Sequence, residues 1–147
     1  WGVLHHTGDM WGALANVVGL VAPGGRLFIA LYNDQGTRSK FWTIEKRWYV
    51  NYPVLRPVLV GGFIVTSIVY GGLRDVLAGR APWARYRQKE RGMNWYYDVI
   101  DWLGGYPFEV ATPDQVTRFY GERGFTLDQL VTRAAGCNEF VFSLRKA

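Results

Sequence analysis

The stretch from Pro23 to Tyr32 most constrains what this 147-residue chain can fold into. Pro23-Gly24-Gly25 breaks the chain, and Arg26-Leu27-Phe28-Ile29-Ala30-Leu31-Tyr32 follows as an almost unbroken apolar run. A strand with one wet face alternates apolar and polar residues. This one is apolar on both faces, the pattern of a strand inside a covered parallel sheet. Pro ends a helix and Gly reaches positive φ without strain, so the triplet serves topology rather than chemistry.

The flanking patterns extend this reading. Residues 1–4 (Trp1, Gly2, Val3, Leu4) read as a short strand ending at His5-His6-Thr7-Gly8-Asp9. Residues 10–21 read as a helix capped by Asp9, with Met10, Trp11, Leu14, Val17, Val18 and Val21 keeping the 3.6 period. Strand, helix and strand in that order predict a right-handed crossover. Near the other end, Thr112-Pro113-Asp114-Gln115 has the form of a capping box with Pro at the first helical position. That helix should run to about Arg123 and stop at Gly124. Residues 125–131 and 138–145 read as strands, the second with Phe140, Phe142 and Leu144 on one face. Their short connection predicts antiparallel pairing.

Residues 34–106 differ in kind: helical, basic and aromatic. Residues 37–92 hold eleven Lys and Arg against three acids, a charge of +8, whereas the whole chain carries +5. Such a segment suits lipid headgroups, nucleic acid or an anionic substrate, or is simply a solvated helical surface. Ser39 is a candidate cap for a helix running to about Val50. Within residues 53–77, the seventeen residues from Pro57 to Leu73 carry no charge but include four Gly. This is the lower end of membrane-spanning length. A partly buried helix, or one lying on a membrane surface, fits the Gly content better than a span. Residues 74–91 are strongly basic, and residues 94–103 resume as an aromatic helix stopped by Gly104-Gly105.

Composition sets outer bounds. With 49% hydrophobic and 20% charged residues, the chain can bury a core and is not disordered throughout. A single cysteine, Cys137, excludes an intramolecular disulfide framework and a Cys-rich zinc site, and reads as a packed thiol. The start lacks a secretory signal pattern, and Trp1 lies within an apolar run, which reads as a piece cut from a longer chain. The expected setting is cytoplasmic, with peripheral contact to an anionic membrane as an option and nucleic acid disfavoured.

Leu4-His5-His6-Thr7, the helix after it, Leu20-Val21-Ala22-Pro23-Gly24-Gly25-Arg26-Leu27 and the terminal helix–strand–strand unit resemble class I S-adenosylmethionine-dependent methyltransferases. The similarity is to small-molecule members, of the kind that methylate polyprenyl phenols. It covers residues 1–32 and about 111–144. Ala22 departs from the pattern, standing where the family usually has Lys or Arg. The resemblance implies an α/β fold: the C-terminal half of a Rossmann-like sheet, strands four to seven with the last pair antiparallel. A large helical insert would follow strand five. Residues 1–33 and 107–147 would form the partial core, and residues 34–106 the insert. It also implies S-adenosyl-L-methionine as cofactor. The Gly-rich turn and the ribose-holding acid that bind it cannot be placed in this sequence, so most of that site is expected upstream. Trp1 and Gly2 match positions whose backbone approaches the methionine end of the cofactor.

His5 and His6 would lie at the carboxyl end of a strand, the edge where α/β sheets bind ligands. A His there can deprotonate a hydroxyl or phenol near neutral pH. If both lay on a strand, one would face the pocket and the other would pack. Metal-holding relatives carry Glu where this chain has His5, so no metal is assigned. Tyr32 and Asn33 end the next strand and are candidates for the substrate pocket. Asp98 and Asp101, three apart on a helix, share a face, with Tyr97 four residues before Asp101. They are candidates for a polar substrate group or for pairing with Arg85, Arg87 or Arg91. With Gly105-Tyr106-Pro107-Phe108-Glu109 they could form a lid. The leading expectation is the C-terminal part of a methyltransferase acting on a small apolar or aromatic metabolite. The alternatives are a membrane-surface or nucleic-acid module without catalysis, and half of a nicotinamide oxidoreductase.

Overall fold

A computed structural model describes residues 2–80, 95–134 and 136–145. Among them the chain is a mixed α/β protein with three strands and five α-helices. It divides into two compact units, Trp1–Thr43 with Pro107–Ala147, and Ile44–Tyr106.

The first unit holds the sheet. α1 (Met10–Val18) starts as its sequence dictates: the Asp9 carboxylate accepts from Gly12 N at 3.0 Å. It stops at Val18, three residues earlier than its apolar period suggests, in a tightened last turn where Leu20 N donates to Val17 O and Val21 N to Val18 O. Gly24 then reverses the chain at φ 77°, and a Cβ on Gly25 would lie 2.8 Å from Ala22 O. Both glycines are therefore required by geometry. They also join the sheet, for Gly24 N donates to Leu144 O and Leu144 N to Gly25 O.

β1 (Arg26–Tyr32), β2 (Phe125–Val131) and β3 (Cys137–Leu144) form one sheet in the order β1-β3-β2. β3 runs antiparallel to both neighbours, from Arg26↔Ser143 to Tyr32↔Cys137 on one side and from Phe125↔Leu144 to Val131↔Glu139 on the other. β1 and β2 therefore point the same way with a reversed strand between them. α5 (Pro113–Gly121) precedes β2, and its Thr112 capping box forms with both hydrogen bonds in place. The core lies on one face of the sheet. Leu27, Ile29 and Leu31 of β1 and Phe140 and Phe142 of β3 meet Met10 and Leu14 of α1 and Val116 and Tyr120 of α5. The Tyr120 hydroxyl donates to Leu14 O, which ties the two helices together under the sheet.

Two sequence expectations are corrected here. The run at residues 1–4 makes no strand among the described residues. Leu4–His6 form a single 3₁₀ turn, closed by His6 N donating to Val3 O, so the sheet has three strands and the first crossover does not form. So short a run has few ladder bonds to offer, and the Gly8 turn follows it closely. β1 is not the fully covered parallel strand its composition suggests either. Its strand partner is antiparallel β3, the parallel contact at its end is the isolated bridge Asn33↔Ala111, and Phe28 stands 52% exposed. Apolarity on both faces reports a demand for burial, not which chain segment meets it.

The described residues of the second unit are mostly helical. α2 (Thr37–Asn51), whose residues up to Thr43 belong to the first unit, begins two residues before Ser39, whose Oγ turns back to accept from Gln35 N at 2.8 Å. A 3₁₀ turn at Pro53–Leu55 leads into α3 (Arg56–Leu77), which packs along α4 (Trp95–Gly104). α3 is buried along one side only: Gly71 and Asp75 are buried and Leu59, Val60, Phe63, Ile64 and Ser67 half-buried, while its other side is exposed, in keeping with the partly buried reading of this segment. Asn94, Arg85, Arg87, Lys89 and Arg91 lie outside the described residues.

Candidate functional site

The residues that gather at the carboxyl end of β1 are His5, His6, Tyr32 and Phe108. The His5 and Tyr32 rings lie 4.1 Å apart, His5 and His6 4.5 Å, His6 and Tyr32 5.6 Å, and Tyr32 and Phe108 5.0 Å. The segment after Pro107 holds the His-His turn in place. Glu109 N donates to His5 O at 3.0 Å, Ala111 N donates to Tyr32 O, and Met10 N at the start of α1 donates to the Glu109 carboxylate, with both oxygens at 3.1 Å. A carboxylate at that point also suits the positive end of the α1 dipole. Pro107, Phe108 and Glu109 therefore form part of the site's wall in the first unit.

The two histidines play different parts. His5 is 1% exposed. Burial, and then the neighbouring His6, push its pKa from 6.5 down to about 4, only partly offset by the Ala30 carbonyl accepting from the ring. His5 is thus neutral, and its Nδ1 is buried with no hydrogen-bond partner among the described residues. His6 is half-buried, with Nδ1 2.7 Å from Pro107 O. A carbonyl has no proton to give, so the hydrogen sits on Nδ1 and the lone pair is left on Nε2. That is the tautomer a proton acceptor needs. Successive residues of a 3₁₀ turn point about 120° apart rather than to opposite faces. The division of labour between the two rings therefore comes from burial and from Pro107, not from strand alternation.

Gly2 adopts φ 72°, and a Cβ there would meet nothing within 4 Å, so its backbone borders open space. Trp1 lies outside the described residues. Asn33 is occupied in tying the sheet's end: its Oδ1 accepts from the buried Asn138 at 3.0 Å, its Nδ2 donates to Arg133 O, and Arg133 N donates to Asn138 Oδ1. Its amide is thus engaged within the sheet's end. Tyr97, Asp98 and Asp101 stand exposed on α4 in the second unit, whereas the histidines and Tyr32 belong to the first. Cys137 is half-buried, and burial, then Glu139, raise its thiol, so it stays protonated.

The second unit holds one feature that sequence reading missed. Lys46 of α2 is 1% exposed, donates to Trp102 O and lies 3.9 Å from the centre of the Trp102 ring. Burial lowers it to about 8, against the opposing pull of Glu45 and Asp101. Burial also raises the neighbouring Glu45. The available signal was the spacing of Lys46 four residues after Trp42 and three before Tyr49, an aromatic helix face with a lysine in it. Among the described residues no group of three or more His, Cys, Asp or Glu is placed to hold a metal ion. Comparisons of the chain with protein-family models, with curated proteins and with solved structures give no match.

Proposed function

We propose that the chain forms the C-terminal half of an S-adenosylmethionine-dependent methyltransferase acting on a hydroxyl of a small apolar or aromatic molecule. The observation that carries this reading is His6, held by the Pro107 carbonyl in the tautomer that leaves Nε2 free, at the carboxyl end of β1 beside the aromatic Tyr32. The sheet supports it too, since its last strand is antiparallel, as the sequence resemblance implies.

The described residues fit one edge of the cofactor's site: the open Gly2 backbone would meet its methionine end. Bound S-adenosylmethionine supplies an electrophilic methyl group. The chain's own task is to orient the accepting hydroxyl and take its proton. His6 Nε2 receives that proton as the oxygen is methylated, and Pro107 O, still bonded to Nδ1–H, stabilises the resulting imidazolium. Tyr32 and Phe108 supply the apolar wall that orients an aromatic acceptor and excludes water.

Two measurements test this. Calorimetry of the complete protein should show S-adenosylmethionine binding, and its absence would remove the methyltransferase reading. With a cognate acceptor, His6→Ala should lower turnover about 100- to 10,000-fold while cofactor affinity stays near that of the parent. Near-normal turnover in that variant would make His6 a structural residue.

A further inference from the structure

The surface of α3 makes a second function visible, independent of the methyltransferase reading. α3 has two apolar faces. Val60, Ile64, Ser67 and Gly71, spaced four, three and four apart, lie on the inner, more buried side of the helix. Val58, Val65, Val69 and Val76 recur at seven, four and seven residues, which puts them on one stripe of the opposite side. That stripe is open: Val58 is 70% exposed, Val65 59%, Val69 63% and Val76 60%. Leu73 widens it at 58%.

The stripe is chemically suited to hydrocarbon. It bears no charge. Its one hydroxyl, Thr66 Oγ1, donates back to the helix's own carbonyls, with Gly62 O at 2.8 Å and Phe63 O at 3.0 Å, so no donor is left to be desolvated. Both ends carry the opposite character. Arg56 and exposed Arg74 bracket the uncharged seventeen residues, with exposed Arg80 just beyond, while the helix's one acid, Asp75, is buried. Arg56 and Arg74 each stand two residues from a stripe valine, so they lie on the face turned away from it, the basic side that an interfacial helix presents to an anionic headgroup layer. Core helices of soluble proteins reach such apolarity by being buried on most sides; this one leaves the whole stripe exposed.

We infer that α3 lies flat in the surface of an anionic bilayer, with the Val58–Val65–Val69–Val76 stripe among the acyl chains and Arg56, Arg74 and Arg80 at the headgroups. A spanning arrangement is disfavoured by α4, which packs along α3 and carries exposed Asp98 and Asp101. Spanning would take two carboxylates into hydrocarbon with the helix. The occupant is lipid rather than a second copy of the chain because a stripe-to-stripe dimer would give the far-face arginines nothing to meet, whereas an anionic headgroup layer does.

The test is sedimentation of the purified full chain with vesicles of phosphatidylcholine alone and of phosphatidylcholine with phosphatidylglycerol. The expected result is pelleting with the mixed vesicles, weakened by salt, and about tenfold or more weaker for V65E/V69E. Protein that stays in the supernatant with mixed vesicles at low salt overturns the proposal. So does lipid-free dimerisation that V65E/V69E abolishes, which would assign the stripe to a second copy. Should V65E/V69E fail to fold, an environment-sensitive fluorophore replaces it, placed through Val69→Cys or Ser67→Cys in a Cys137→Ser background. A blue shift on mixed vesicles at position 69 and none at 67 supports the proposal. No shift at 69, or equal shifts at both, overturns it.

Discussion

A histidine buried as the neutral form weakens a protein as pH falls, and His5 is such a group. Above pH 6.5 neither the folded nor the unfolded chain protonates it. Between 6.5 and about 4 the unfolded chain takes up a proton that the folded chain refuses, so stability is lost as pH falls through that window. At about 1.4 kcal/mol per unit, the loss approaches about 3 kcal/mol by pH 4. We predict that urea midpoints of the parent fall across this range and that those of His5→Phe fall much less. Equal slopes would assign the acid sensitivity elsewhere. The same pair shows how far the sequence could be read at this scale. Two adjacent histidines before a helix were visible as a candidate site. Which of them is buried was not, because that depends on Pro107 and Ala30, 101 residues ahead of one and 25 ahead of the other, and on a 3₁₀ turn where alternation along a strand was expected.

Elements with local chemistry were the most legible. The Thr112–Gln115 capping box, β2 at residues 125–131 and the inward row Phe140, Phe142 and Leu144 each follow from neighbours a few positions apart. What was not legible was whatever depended on distant partners: the absence of a strand at residues 2–4, the cover for Phe28, and the hydrogen-bond partners of Asn33. Asn33 looked available at the end of β1 because nothing nearby in sequence reveals the buried Asn138 that it meets across the sheet. Helix caps offer the cleanest quantitative test at this scale. Thr112 Oγ1 accepts from Gln115 N at 3.3 Å, and Gln115 Oε1 accepts from Thr112 N at 2.9 Å, so each side chain serves the other's amide. Thr112→Ala should cost about 1 kcal/mol by chemical denaturation. Adding Gln115→Ala should then cost less than it does alone, because the two residues act as one cap. Strict additivity would show that the bonds contribute independently.

At the scale of the whole chain, the two units differ in what they bury. The first closes a continuous apolar layer in which Leu14, Val116, Tyr120, Phe140 and Phe142 are wholly hidden, and β3 is paired along both edges. Among the described residues, the buried side chains of the second are fewer and include Lys46 and Asp75 beside Val99 and Leu103, while α3 presents an apolar stripe to solvent. Hydrophobic burial is the main source of stability, and charged groups taken from water subtract from it. Local opening free energies should therefore be unequal. We predict that in lipid-free buffer the amides of β3, from Asn138 to Ser143, exchange slowest and only by global unfolding, with those of α3 exchanging faster. The check is hydrogen exchange read by mass spectrometry along a gradient of sub-denaturing urea. If α3 and β3 share one opening free energy and one urea dependence, the chain unfolds as a single cooperative body and the inequality is wrong. If α3 opens first, adding anionic vesicles should slow exchange there and leave β3 unchanged, because a surface that binds only the folded helix raises the cost of opening that helix.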